Sequence, residues 1–170
     1  MGSLVLDLQA DAMDEKKSVV PLLQKARAVS VKLNVATIQD WIQHELEGYP
    51  DDLIPNYREV SGNLLCLNPM RGHVPLGIND VDLKKMLTTR LIGDPLPALF
   101  DLLNNKSNSR QMLLGFPPEA SAMIKSRMSY PMEPWLAVEI SSVQRIVASV
   151  KTKILDFALD LEQQGVLGKL

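Results

Sequence analysis

Very little in this chain can do chemistry unaided. Among 170 residues there is one cysteine, and there are only two histidines. Cys66 cannot close an internal disulfide, so the fold has no covalent staple, and a reducing compartment is expected. It lies in an apolar, strand-like run and reads as buried filler rather than a reactive thiol. His44-Glu45 begins like the zinc-protease pattern HExxH, but Gly48 stands where the second histidine must be. The chain contains no GxxxxGK[ST] phosphate loop and no GxSxG nucleophile elbow. No cofactor or metal is expected.

Long apolar runs are missing too. No stretch reaches the ~18 residues that a membrane-spanning helix needs. The N-terminus lacks the basic region and small-residue cleavage site of a secretory signal. Met1-Gly2-Ser3 resembles the start of a myristoylation signal, but Leu6 occupies the position that requires Ser or Thr. A cytoplasmic protein without a membrane partner is expected. Charge of one sign is also lacking, with 18 basic against 20 acidic residues, so no whole-molecule field favours nucleic acid or an anionic surface. Locally the balance shifts. Residues 1–59 carry six basic and ten acidic side chains, whereas residues 84–153 carry ten and five.

A 46% hydrophobic fraction over 170 residues suits one domain with a true core. Residues 4–13 read as a first helix. Ser18 caps a second helix with Pro21 in its first turn, and Leu22, Leu23, Ala26, Val29 and Leu33 recur at the period of a buried face. A third helix from about Val35 turns Ile38, Trp41, Ile42 and Leu46 inward and stops at Gly48. From Arg58 to Leu67 the pattern becomes strand-like, with Val60, Leu64 and Cys66 on one parity; Gly62 points to a bulge or a close backbone approach. His73–Ile78 returns as a partner strand.

A helix capped by Asn79 or Asp80 should then run to about Leu91, and Asp94-Pro95 opens another. Residues 104–109 are polar and rich in Ser and Asn, the best candidate for a mobile loop. Gln111–Phe116 reads as a strand, and Pro117-Pro118 opens a helix to about Ser129. Trp135–Ile140 alternates as a half-buried strand, and Ser141 or Ser142 caps a final helix to Gly165, about 35 Å long. The fold class is α+β: mostly helical, with an N-terminal three-helix segment, a small antiparallel sheet and a long C-terminal helix. Ending just beyond that helix, the chain reads either as a complete small protein or as the N-terminal domain of a longer one, and the second is the expectation.

Two carboxylate groups invite a metal or nuclease reading. Glu15-Lys16-Lys17 stands beside Asp11 and Asp14, and Asp51-Asp52 lies near Glu47. A metal-dependent nuclease core needs an acid at one strand end and Glu-x-Lys on the next strand, an arrangement neither group provides. The first reads as a solvated charge cluster in a helical linker; the second could bind a cation or a basic partner, against the simpler reading of an exposed turn. The basic side chains Lys84, Lys85, Arg90, Lys125, Arg127, Arg145, Lys151 and Lys153 are candidate anion-binding residues, against the simpler reading of a solvated surface. Tyr130 and Trp135 are candidate interface anchors if the Trp135 face of its strand is open; burial under the N-terminal helices is the alternative.

The densest motif is DWIQHELEGYPDDLIPNYR, residues 40–58. Trp41, Glu45, Gly48, Tyr49, Pro55, Tyr57 and Arg58 describe a fixed helix-to-strand corner rather than a loose loop. Trp41, Glu45-Leu46, Gly48-Tyr49 and Pro55-x-Tyr57-Arg58 resemble the W-x-x-x-E-L-x-G-Y…P-x-Y-R hallmark of the AbiTii-type abortive-infection domain of bacterial phage defence. The segment from Pro21 onward is similar to that family's second helix. Val150 to Glu162 resembles its closing V-R-T-x-[IL]-L-x-[FW]-A-L-x-L-E helix, with Lys151 in place of the arginine.

The resemblance covers both ends of the chain and leaves residues 60–135 unmatched. It implies a role in antiviral defence as a sensing, scaffolding or oligomerising module, working with a second copy of itself or with an effector protein or domain. It carries over no catalytic residue. The other reading is a nucleic-acid-binding or nuclease protein that uses the basic 84–153 segment.

Overall fold

The computed structural model describes residues 2–104 and 110–168. It separates into two compact units, neither continuous in sequence. The first holds the described residues up to Tyr57, those from Gly93 to Asn104, and those from Gln144 onward. The second holds Arg58–Ile92 and, of the described residues, 110–143.

The first unit is helical. Its elements are α1 (Leu4–Met13), α2 (Val19–Lys32), α3 (Gln39–Glu47), α5 (Leu96–Asn104) and most of α7 (Ile140–Gln163). Ser3 caps α1, its hydroxyl accepting from the Leu6 amide. The buried face of α2 is the predicted one, with Leu22, Leu23, Ala26 and Val29 at 3% exposure or less. Asn34 ends the α2 region with φ +56°, a left-handed conformation that asparagine tolerates. α2 packs on α1, α3 and α5. Along α7, Val150, Ile154, Ala158 and Leu161 are buried at the 3–4 residue spacing of an inward stripe.

Polar ties fasten α7 to the N-terminal helices. Gln9 Nε2 donates to the Glu162 carboxylate at 2.5 Å and to the Ala158 carbonyl. Lys151 Nζ donates to the carbonyls of Asp14 and Lys17, both at 3.1 Å, and so holds the turn between α1 and α2. The Leu4 and Val5 amides reach the carbonyls of Gly168 and Leu167.

The second unit is a five-stranded antiparallel sheet with α4 (Val81–Thr88) and α6 (Pro118–Ser126). Its strands are β1 (Glu59–Asn68), β2 (Gly72–Pro75), β3 (Thr89–Leu91), β4 (Gln111–Gly115) and β5 (Pro134–Glu139). Their order is β2-β1-β5-β4, with β3 paired to the start of β1. The register sets Leu64 opposite Leu136 and Leu114 opposite that same residue. Leu64, Leu83, Leu87 and Ile124 form the core between sheet and helices. Gly62 is the close approach that its place in β1 suggested. A Cβ there would lie 2.3 Å from the Ala137 carbonyl oxygen, inside any permitted contact. Cys66 is buried as filler, and burial pushes its thiol pKa up.

Several boundaries differ from the sequence reading. The helix expected to reach Leu91 stops at Thr88, because Thr89–Leu91 pairs with Glu59–Ser61 as a strand. Neither Ser141 nor Ser142 caps α7. β5 runs directly into α7, and the Ile140 amide donates to the Arg110 carbonyl. The third helix is preceded by a separate 3₁₀ turn, Ala36–Ile38, and Arg58 closes another, Asn56–Arg58, before β1 begins. α6 stops at Ser126. Ala137 is buried although it shares a face with the half-exposed Trp135, because β5 has a strand on either side to shield so small a side chain. Of the predicted mobile loop, Asn104 ends α5 and residues 105–109 lie outside the described residues.

Candidate functional site

The motif residues of the first unit converge on one hydrogen-bonded group. Trp41 and Glu45 lie one turn apart on α3 and share a face. Glu45 is fully buried. Its carboxylate accepts from the Tyr49 hydroxyl at 2.9 Å and from the Tyr57 hydroxyl at closer range. The Tyr57 oxygen in turn accepts from Trp41 Nε1 at 2.9 Å. A donor therefore feeds an acceptor that donates onward to a buried anion, an arrangement in which each bond polarises the next.

The backbone makes this possible. Gly48 ends α3 at φ +105°, where a side chain would be strained and would press on the Gly93 carbonyl. The next amide, Tyr49 N–H, donates to that carbonyl at 2.8 Å, which fixes where the Tyr49 ring begins. The ring stacks on His44 at 5.1 Å between centroids. Pro55 immediately precedes the 3₁₀ turn that presents Tyr57. In the second unit Arg58 is fully buried, and its Nη1 donates to the Ile92 carbonyl at 2.9 Å.

In front of this group lies an open groove of about 490 Å³, lined by Thr37, Ile38, Trp41, Lys153, Asp156, Phe157 and Asp160. The last four fall at the spacing of one helix face on α7. Lys153 Nζ stands 5.6 Å from the Trp41 ring centre and 5.5 Å from that of Tyr57, within cation–π range of both. Two sequence blocks from opposite parts of the chain thus build one surface. Sequence reasoning placed Phe157 in the α7 core stripe and missed Asp156 and Asp160. Their common spacing with Lys153 was visible; the facing wall was not.

The remaining candidates divide between the two units. Lys84, Lys85, Arg90, Lys125 and Arg127 belong to the second unit, and Arg145, Lys151 and Lys153 to the first. Four of the eight already have work. Arg90 donates to the Gly115 carbonyl at 2.8 Å and lies over Phe116, and burial lowers its pKa. Lys125 pairs with Glu133 at 2.6 Å, a hydrogen bond that holds the Glu133 carboxyl below its usual pKa. Lys151 binds carbonyls and Lys153 the two rings. Tyr130 is 82% exposed. Trp135 is half-buried and edge-on to His73, with its Nε1 buried and unpartnered among the described residues. Those residues also contain no cluster of His, Cys, Asp and Glu able to hold a metal ion, and no helix long and apolar enough to cross a membrane.

A family model for AbiTii matches residues 3–170, nearly the whole chain. The chain belongs to the AbiTii family. Membership brings the family's role in abortive infection, a form of phage defence, and extends the likeness across residues 60–135, where no motif had been recognised. No curated protein and no solved structure matches the chain. In this AbiTii chain the W-x-x-x-E-L-x-G-Y motif supplies one wall of the groove and the closing-helix motif the other.

Proposed function

We propose that this protein is a non-catalytic sensing or scaffolding module of an abortive-infection system, acting in the cytoplasm through self-association or by docking to an effector. The observation that carries this reading is the hydrogen-bonded network of Trp41, Tyr57, Tyr49 and Glu45. A catalytic carboxylate must reach a substrate proton or a metal. Glu45 is instead fully buried and accepts from two tyrosine hydroxyls, so its negative charge orders side chains. The family's most conspicuous residues hold a shape, and a held shape serves recognition.

The test joins two measurements on the full chain. Solution mass across a concentration series should exceed one chain and rise with concentration, or the effector should co-purify in a fixed ratio. Bacteria expressing the protein should survive phage challenge as a population. Purified protein that turns over a nucleotide, nucleic acid or metabolite, and loses that activity when one acidic side chain is neutralised, would overturn the reading.

A further inference from the structure

We infer that the groove between α3 and α7 receives an arginine-bearing segment of a partner protein. The inference rests on the docking role proposed above and names the chemistry of the partner. The carboxylates of Asp156 and Asp160 stand one helical turn apart on the groove's α7 wall. Neither forms a hydrogen bond or ion pair with another described residue, whereas the acidic side chains of Glu45, Asp11 and Glu133 all do. Opposite them stands the Trp41 indole, whose Nε1 is tied to Tyr57, so that the ring is held in one orientation. Two free anions facing a fixed aromatic plane are the complement of a planar cation.

Guanidinium meets both demands. It stacks on the indole face while its forked N–H groups bond carboxylates, which a compact ammonium cannot do at once. Lys153 already shows that the Trp41 and Tyr57 rings accept a cation. A phosphate-bearing ligand would meet two carboxylates against a single ammonium, so nucleic acid does not suit this groove. Its size and openness favour a peptide over a free small cation. About 490 Å³ exceeds one side chain, and small-ligand sites enclose most of their ligand, whereas this groove is open.

Calorimetric titration of the full chain with a synthetic Gly-Arg-Gly-Arg-Gly peptide tests the inference, with its citrulline counterpart and agmatine as further arms. Citrulline keeps the shape and removes the charge. The arginine peptide should bind, and more weakly as salt rises. The citrulline peptide should bind about tenfold more weakly or not at all. The double substitution Asp156→Asn with Asp160→Asn, at exposed positions and outside the buried network, should lower affinity for the arginine peptide by a similar factor. Equal affinity for the arginine and citrulline peptides, or no arginine-peptide binding at millimolar concentration, overturns the inference. So does agmatine binding as tightly as the peptide, which would assign the groove to a free small cation. If the chain binds no probe yet self-associates and protects cells, this inference fails and the proposed function stands; turnover that depends on Asp156 removes both.

Discussion

Truncating Glu45 to alanine should destabilise the protein by about 3–5 kcal/mol, a large share of the roughly 5–15 kcal/mol that keeps a domain folded. The magnitude follows from what the carboxylate does. Glu45 is fully buried and accepts from the hydroxyls of Tyr49 and Tyr57. A hydrogen bond to a charged group contributes about 1.5–3 kcal/mol, and a void at a buried position adds to the loss. Both tyrosines are half-buried and can turn partly toward water, so the lower part of the summed range applies.

Glu45→Gln separates structure from chemistry. It preserves volume but presents one acceptor oxygen and two unwanted donors to hydroxyls that are themselves donating, and should destabilise by about 1.5–3 kcal/mol. Urea denaturation followed by circular dichroism measures both variants. At this chain length each kcal/mol shifts the melting temperature by roughly 2–4 °C, so the alanine variant should melt on the order of 10 °C lower. If Glu45→Gln stays within about 0.5 kcal/mol of the native protein yet abolishes phage protection, the carboxylate is reserved for function and the reasoning fails.

Gly62→Ala should destabilise by more than about 2 kcal/mol, because its methyl would lie 2.3 Å from a backbone oxygen that cannot swing aside; thermal melting checks this, and an unchanged midpoint would refute the close approach. Lys151→Ala should remove about 1–2 kcal/mol and speed amide exchange across residues 14–18, whereas Lys151→Arg, with a fork able to reach both carbonyls, should stay close to native. The folded-state pKa of Glu133 is depressed, so its pairing with Lys125 is in force above the ordinary carboxylate pKa. That contribution is lost as pH falls through the lowered value. Carbon-detected NMR titration should find the Glu133 carboxyl below the usual range, and Lys125→Met should raise it.

The helices were legible where their signals are local. Asp80 accepts from the first amides of its helix as read, Ser18 stands at the N-cap of α2 without a side-chain cap bond, and the apolar stripe of α7 repeats over many turns. The parity of Val60, Leu64 and Cys66 identified the inward face of β1. What escaped was decided by pairing. Thr89–Leu91 carries a helical pattern that strand exchange with β1 overrides, and the start of α7 is set by the Arg110 carbonyl rather than by a serine. The corner motif was recognisable in residues 40–58, but no sequence signal announces that Glu45 and Arg58 are among the most buried side chains of the chain.

By itself the sequence determined the α+β class, the outline of the long final helix, and the family to which the chain belongs. Periodicity, caps and motif spacing act over a few residues and survive translation into one dimension. Only the tertiary structure decided that Trp41 faces Lys153, Asp156 and Asp160 across a groove, and that Glu45 is buried where the Tyr49 and Tyr57 hydroxyls donate to it. Whether a charged side chain is buried, paired or free depends on partners far along the chain, and proximity of that kind exists only once the helices have packed.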